Sequence, residues 1–101
     1  MTQSTHTAGE ENYASASASM TGLVTEIARA LVDDPESVSV EAFTEDEATV
    51  IRLRVAPNDI GKVIGKQGRT ARSMRTILAA ASMKLKHRFS LDIVEEQPPQ
   101  S

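Results

Sequence analysis

The chain has 101 residues, 40% hydrophobic and 25% charged, which bounds it to one small globular domain with tails. It has no cysteine, which excludes a disulfide framework, a thiolate metal site and a cysteine nucleophile. The formal charge is −3, no apolar run approaches the roughly 20 residues of a membrane span, and no basic segment leads into an apolar one at the N-terminus, so a cytoplasmic protein is expected.

Residues 1–19, MTQSTHTAGEENYASASAS, are polar and rich in Ser, Ala and Thr, with no apolar periodicity. Such a segment cannot offset the entropy of ordering, and a disordered tail is expected. Residues 96–101, ending in QPPQS, read as a second disordered end. The domain is therefore expected over residues 20–95.

Within it, MTGLVTEIARALVDDP puts Leu23, Ile27, Ala30 and Leu31 at helical spacing, with Pro35 just past the end. SVSVEAF alternates Val38, Val40 and Ala42 against polar neighbours, and TVIRLRV alternates Ile51, Leu53 and Val55 against Arg52 and Arg54. Both read as strands joined by the polar turn TEDEA into a hairpin. PNDIGKVI offers Asn58 or Asp59 as an N-cap before a short apolar face of Ile60, Val63 and Ile64. Ala71, Met74, Leu78, Ala81 and Leu85 then step by three and four, the strongest helical signal in the chain. HRFSLDIV alternates Phe89, Leu91 and Ile93 as a third strand. About thirty residues separate the second and third strands, room for a crossover that leaves them parallel. The order helix-strand-strand-helix-helix-strand predicts a two-layer α+β domain, with helices on one side of a three-stranded mixed sheet.

Charge is divided unevenly. Residues 1–51 hold Arg29 against ten acids, a net of −9, whereas residues 52–91 hold ten Lys and Arg against Asp59, a net of +9. Asymmetry of this kind points to an anionic partner, or to two halves that neutralise each other in the fold. The stretch GKVIGKQGRTARSMR, residues 61–75, sharpens the choice, with three glycines and five basic residues and no acid. Gly65 suits the end of one helix and Gly68 the start of the next. Backbone N–H groups there, at the positive end of a helix, form an anion site. Arg69 stands where the helix dipole disfavours a cation by about 0.3–1 kcal/mol. Arg72, one turn on, adds a like-charge penalty. Two local rules broken at one place mark a functional site, and a phosphate would relieve both penalties. A nucleotide-binding P-loop does not fit, because Gly61 and Gly65 are too close and Gln67 follows Lys66, and no dinucleotide-binding GxGxxG occurs.

VIGKQGRTA, Val63 to Ala71, resembles the VIGxxGxxI signature of the KH domain, with Ala71 where that family more often has a larger aliphatic. The extra helix and strand ahead of the motif resemble the type II, bacterial arrangement. EIARALVDDPESVSVE followed by VAPNDIGKVIGKQGRTARSMRTIL is very similar to small bacterial single-KH-domain proteins, over about residues 20–95. In KH domains the GxxG loop clamps the backbone of about four nucleotides beside an aliphatic groove. The resemblance implies that Gly65, Lys66, Gln67 and Gly68 contact phosphates of single-stranded RNA or single-stranded DNA. It implies groove positions near Ile60, Val63 and Ile64, Val63 being first a core residue, with Lys62, Arg69 and Arg72 as electrostatic support. It also implies an RNA chaperone linked to cell shape, acting as a homodimer or as a heterodimer with a larger multidomain KH protein. Scarce aromatics fit, since RRM and many OB surfaces depend on stacking.

His6 in the tail and His87 at a helix-strand junction make no metal cluster or catalytic pair, and Ser73 has no base within helical reach. No enzyme and no cofactor are expected. The alternative is a protein-interaction or dimerisation module with incidental RNA binding. Such a module has no need of Lys66, Gln67 and Arg69 around the glycines, and their presence favours RNA.

Overall fold

A computed structural model describes residues 8–95, with side chains from Ala16 onward. Six elements follow in order: α1 (Ala8–Leu31), β1 (Ser39–Glu45), β2 (Ala48–Arg54), α2 (Ile60–Ile64), α3 (Arg69–Leu85) and β3 (Arg88–Ile93). Single 3-10 turns occupy Pro35–Ser37, Pro57–Asp59 and Lys66–Gly68. β1 and β2 pair antiparallel with Glu45 opposite Ala48, so their connection is tighter than the expected turn over 44–48. Asp46 closes it at φ 57°, a left-handed conformation that Asp tolerates better than most residues. β2 pairs parallel with β3, Ile51 lying opposite Leu91, after the crossover through α2 and α3. The sheet order is β1-β2-β3, and the molecule has the two-layer α+β type II KH fold.

Strand alternation decides which face is covered. Thr49, Ile51 and Leu53 of β2 and Phe89 and Leu91 of β3 are buried against Val24, Ala28, Val63, Met74 and Leu78 of the helices. On the opposite face, Arg52 Nε sits 3.2 Å from Asp92 Oδ2. The Arg52 guanidinium also lies 4.8 Å from the centre of the Phe43 ring, so this cation is held within the sheet face.

One expectation about α1 is corrected. Its inward stripe is Val24, Ala28 and Val32, while Leu23, Ala30 and Leu31 are exposed and Ile27 is half-buried. The helix is apolar around much of its circumference, and Ala28, with no bulk beyond Cβ, lets it lie close on the sheet. The helix runs from Ala8, so it takes in residues that the sequence alone reads as a tail. Alternating Ala and Ser make no apolar stripe, but Ala has the best helix propensity, and extending a helix already nucleated and packed costs far less than starting one. Ala16 and Met20 pack against the core from this extension. Residues 1–7 and 96–101 lie outside the described residues.

α3 ends on Lys86, at φ 55°. There the Ser82 hydroxyl donates to Leu78 O at 2.8 Å and accepts the Phe89 N–H at 2.8 Å, tying the helix end to β3. His87 is buried beside this joint, its Nε2 2.7 Å from Thr49 Oγ1. Arg75 reaches from α3 to the outer strand, where its Nη2 donates to Leu91 O at 3.2 Å.

Candidate nucleic-acid interface

The glycine turn is built from α2, which stops at Gly65, and α3, which starts after Gly68. Gly65 N–H donates to Gly61 O at 2.8 Å, and its φ of 82° with ψ of 171° belongs to a region open essentially to glycine alone. This is not the left-handed conformation in which a glycine commonly ends a helix. It turns the chain more sharply, directly over Thr70, whose Cβ and N would lie 2.7 and 2.8 Å from any Cβ at position 65. Gln67 (φ 56°, ψ 26°) and Gly68 (φ 74°, ψ 15°) are both left-handed and complete the reversal. Gly68 N–H bonds to Gly65 O at 3.1 Å, and Arg69 N–H bonds to Lys66 O. Several amides expected to face an anion are therefore spent winding the turn itself. The dipole end and the side chains are left to supply positive potential.

No side-chain oxygen caps α3. Lys66, Gln67, Arg69 and Arg72 are all exposed around its start. Among the described residues Lys66, Arg69 and Arg72 have no acidic partner within ion-pair distance. Other basic residues are engaged, Arg52 with Asp92 and Arg75 with the Leu91 carbonyl. The fold thus brings together Gly65, Lys66, Gln67, Gly68, Arg69 and Arg72 as one exposed cationic turn. Ile60 and Ile64 are half-buried beside it, and Val63 is fully buried in the core.

Lys62 stands apart from this group. Its Nζ lies 3.3 Å from Asp33 Oδ2 and 3.4 Å from Asp59 Oδ1. Asp59, expected only as an N-cap, caps nothing with its side chain. Instead it is 2% exposed and accepts the Asp34 N–H at 3.1 Å. It is the lone acid among residues 52–91, a signal for its role that periodicity does not carry. Burial pushes the Asp59 carboxyl up, but the backbone N–H groups of Asp33 and Asp34 and the Lys62 ammonium outweigh it and hold the group below its ordinary 3.8. The hydrogen bond and charge of Asp33, helped by Asp59, raise the Lys62 ammonium above 10.5.

A carboxyl depressed in the native state contributes stability that is complete above its unfolded value and lost as pH falls through the native one. Urea unfolding from pH 7 to pH 2 should therefore show an acid limb in the wild type that Asp59→Asn loses in part. Superimposable acid limbs would mean that this carboxyl is not held low.

A cleft of about 520 Å³ opens between the β1–β2 turn and the α3–β3 joint, lined by acids such as Glu45, Asp46 and Glu47 as well as by Lys86 and Arg88. It sits at the far end of α3, about 25 Å from the glycine turn at 1.5 Å per residue. Mixed charge makes it a poor phosphate site. Among the described residues no group of His, Asp or Glu is placed to hold a metal ion, and no helix is long and apolar enough to cross a membrane.

A two-layer α+β domain with an exposed cationic GxxG turn is the KH architecture, and comparison with known proteins narrows it. The family model for the KH domain of KhpA and KhpB matches residues 21–93, and the chain belongs to this family. An RNA-binding protein KhpA from Caldanaerobacter subterraneus subsp. tengcongensis is 49% identical over 72 residues, 71% of this chain and 96% of the relative. One from Halalkalibacterium halodurans is 49% identical over 76 residues, 75% of this chain and all of the relative. A third, from Aquifex aeolicus, is 48% identical over 68 residues, covering 67% and 86%. The matched segment begins inside α1, so the first half of that helix lies outside the family match.

Proposed function

We propose that this chain is a small, non-enzymatic RNA-binding protein that holds the sugar-phosphate backbone of a short single strand at its GKQG turn. The observation that carries the reading is the exposed cluster of Lys66, Arg69 and Arg72 around an uncapped helix start, without acidic partners among the described residues. In a domain this small, three adjacent uncompensated cations are a standing electrostatic cost that a polyanion would relieve. The relatives' name, RNA-binding protein, supports the same conclusion. In this reading Lys66, Arg69 and Arg72 meet phosphates and Gln67 hydrogen-bonds at the tip. Gly65 and Gly68 let the backbone approach, and Ile60 and Ile64 form the apolar wall beside them. Recognition of so short a strand is weak, and a second domain in the same assembly would raise it through effective concentration. A homodimer, or a heterodimer with a larger multidomain KH protein, meets that need, and a cytoplasmic RNA chaperone linked to cell shape is the role it fits.

The test is fluorescence anisotropy of a fluorescein-labelled oligouridylate at several salt concentrations, comparing wild type with the Lys66→Asp, Gln67→Asp double variant. Both changes lie on an exposed turn, and Asp accepts the left-handed backbone of position 67. Wild-type affinity should fall with salt at about 0.7 logarithmic units per contacted phosphate, as for single strands. The double variant should lose binding while keeping its circular dichroism spectrum. Equal binding by both proteins would remove the turn from the interface, and a protein-interaction module would take its place.

A further inference from the structure

Among the described residues of the basic run 61–75, Lys62 is the cation ion-paired to acids of this chain. Lys62 bridges two carboxylates, Asp33 just after α1 and Asp59 at the start of α2. The Asp59 carboxylate is buried and also accepts the backbone N–H of Asp34. One side chain therefore joins the segment leaving α1 to the first residues of α2, and Lys62 closes the ring back to Asp33. The position matters because α2 is only five residues long and has no stability of its own. It is fixed by Val63 in the core at one side and by this ring at the other. Its last residue, Ile64, leads directly into Gly65. Whatever sets the direction of α2 sets the direction of the glycine turn.

We propose that Asp59 and Lys62 act together as an internal clamp that positions the GKQG turn, and that Lys62, unlike Lys66, does not contact the ligand's phosphates. The inference rests on the RNA-binding reading for its consequence, though not for the clamp itself. A phosphate would have to draw Lys62 from two carboxylates, one of them buried, whereas Lys66 has nothing to leave among the described residues. Removing a positioning group weakens binding without changing how many counterions binding releases. Removing one phosphate contact lowers that number by about 0.7 on a single strand.

Four full-chain variants separate these roles: Lys62→Gln, Asp59→Asn, the two combined, and Lys66→Gln. Against the same oligouridylate, Lys66→Gln should flatten the salt dependence by about 0.7 logarithmic units. Lys62→Gln and Asp59→Asn should each lower affinity severalfold with the salt slope of wild type. The combined variant should be little worse than either alone, as expected for groups acting as one unit. A slope flattened by Lys62→Gln as much as by Lys66→Gln would overturn the proposal.

Amide hydrogen exchange decides the clamp without any RNA. In Asp59→Asn, the Gly65 and Gly68 amides, bonded to Gly61 O and Gly65 O, should exchange severalfold faster. The Arg88 and Val94 amides, bonded to Glu47 O and Leu53 O at the far strands, should keep wild-type rates. Unchanged exchange at the turn, or equal acceleration everywhere, would overturn the clamp. A wild type that binds no RNA would instead overturn the proposed function and leave the exchange result to stand by itself.

Discussion

Replacing Gly65 by Ala should cost about 2–6 kcal/mol of stability, combining backbone strain of roughly 1–3 kcal/mol with an overpacking term of similar size. Both causes are local and visible. The backbone at φ 82°, ψ 171° admits essentially only glycine, and an added Cβ would meet Thr70 Cβ at 2.7 Å and Thr70 N at 2.8 Å, with the Thr70 hydroxyl nearer still. The hydroxyl could rotate away, but the backbone nitrogen belongs to the first turn of α3 and cannot. Thr70→Ala in the same chain should therefore recover only part of the loss. Gly68→Ala is the informative control. Gly68 also has positive φ, at 74°, but a Cβ there meets nothing within 4 Å. Its cost should be the left-handed penalty alone, about 1–2 kcal/mol. Urea midpoints of the three variants would rank them, and an equal cost for the two glycines would show that contact with Thr70 is not what fixes Gly65. RNA binding should fall with stability in Gly65→Ala, because the turn cannot close over a shifted α3.

How far the sequence speaks for such a site depends on the kind of information each residue carries. Periodicity identified all three strands and α3, because Ile51, Leu53, Phe89 and Leu91 alternate with charged or polar neighbours while Met74 and Leu78 recur at helical spacing. The parallel pairing of β2 with β3 followed from the length between them. The glycine turn was legible as a place, through two glycines and a charge excess, and illegible as a shape. Nothing in GKQG tells that Gly65 adopts an extended positive-φ conformation, or that the Gly68 and Arg69 amides are used inside the turn. In α1 two overlapping apolar stripes compete, and the choice of Val24, Ala28 and Val32 belongs to the sheet surface they meet. The same limit explains Lys62. By spacing it is one more cation near the loop, and only the tertiary approach of Asp33, far away in sequence, shows where its charge goes. Local rules reach residues within a turn of each other, and partners brought together by the fold lie beyond them.

Leu78 offers the sharpest separation of fold from site. It is 1% exposed at the middle of α3 and belongs to the same cluster as Ile51, Leu53 and Leu91. Leu78→Ala should cost about 2–5 kcal/mol, since a close-packed core relaxes only partly around the lost methyl groups. A unit of roughly 75 residues, at about 0.05–0.15 kcal/mol per residue, has only about 4–11 kcal/mol to lose. Most of its margin could go with this one side chain. The adjacent Ile77 is 46% exposed, and Ile77→Ala should change stability by no more than about 1 kcal/mol. Thermal and urea unfolding of the pair would check the assignment, and similar losses would mean that α3 packs by a different face. The comparison also guards the reading of every binding experiment. Arg69 and Arg72 ride on the first turn of α3, so a partly unfolded Leu78→Ala protein loses RNA affinity through the scaffold. The Lys66→Asp, Gln67→Asp variant should lose it at full wild-type stability. Only the second kind of loss speaks for the site, and measuring stability beside affinity in each variant tells the two apart.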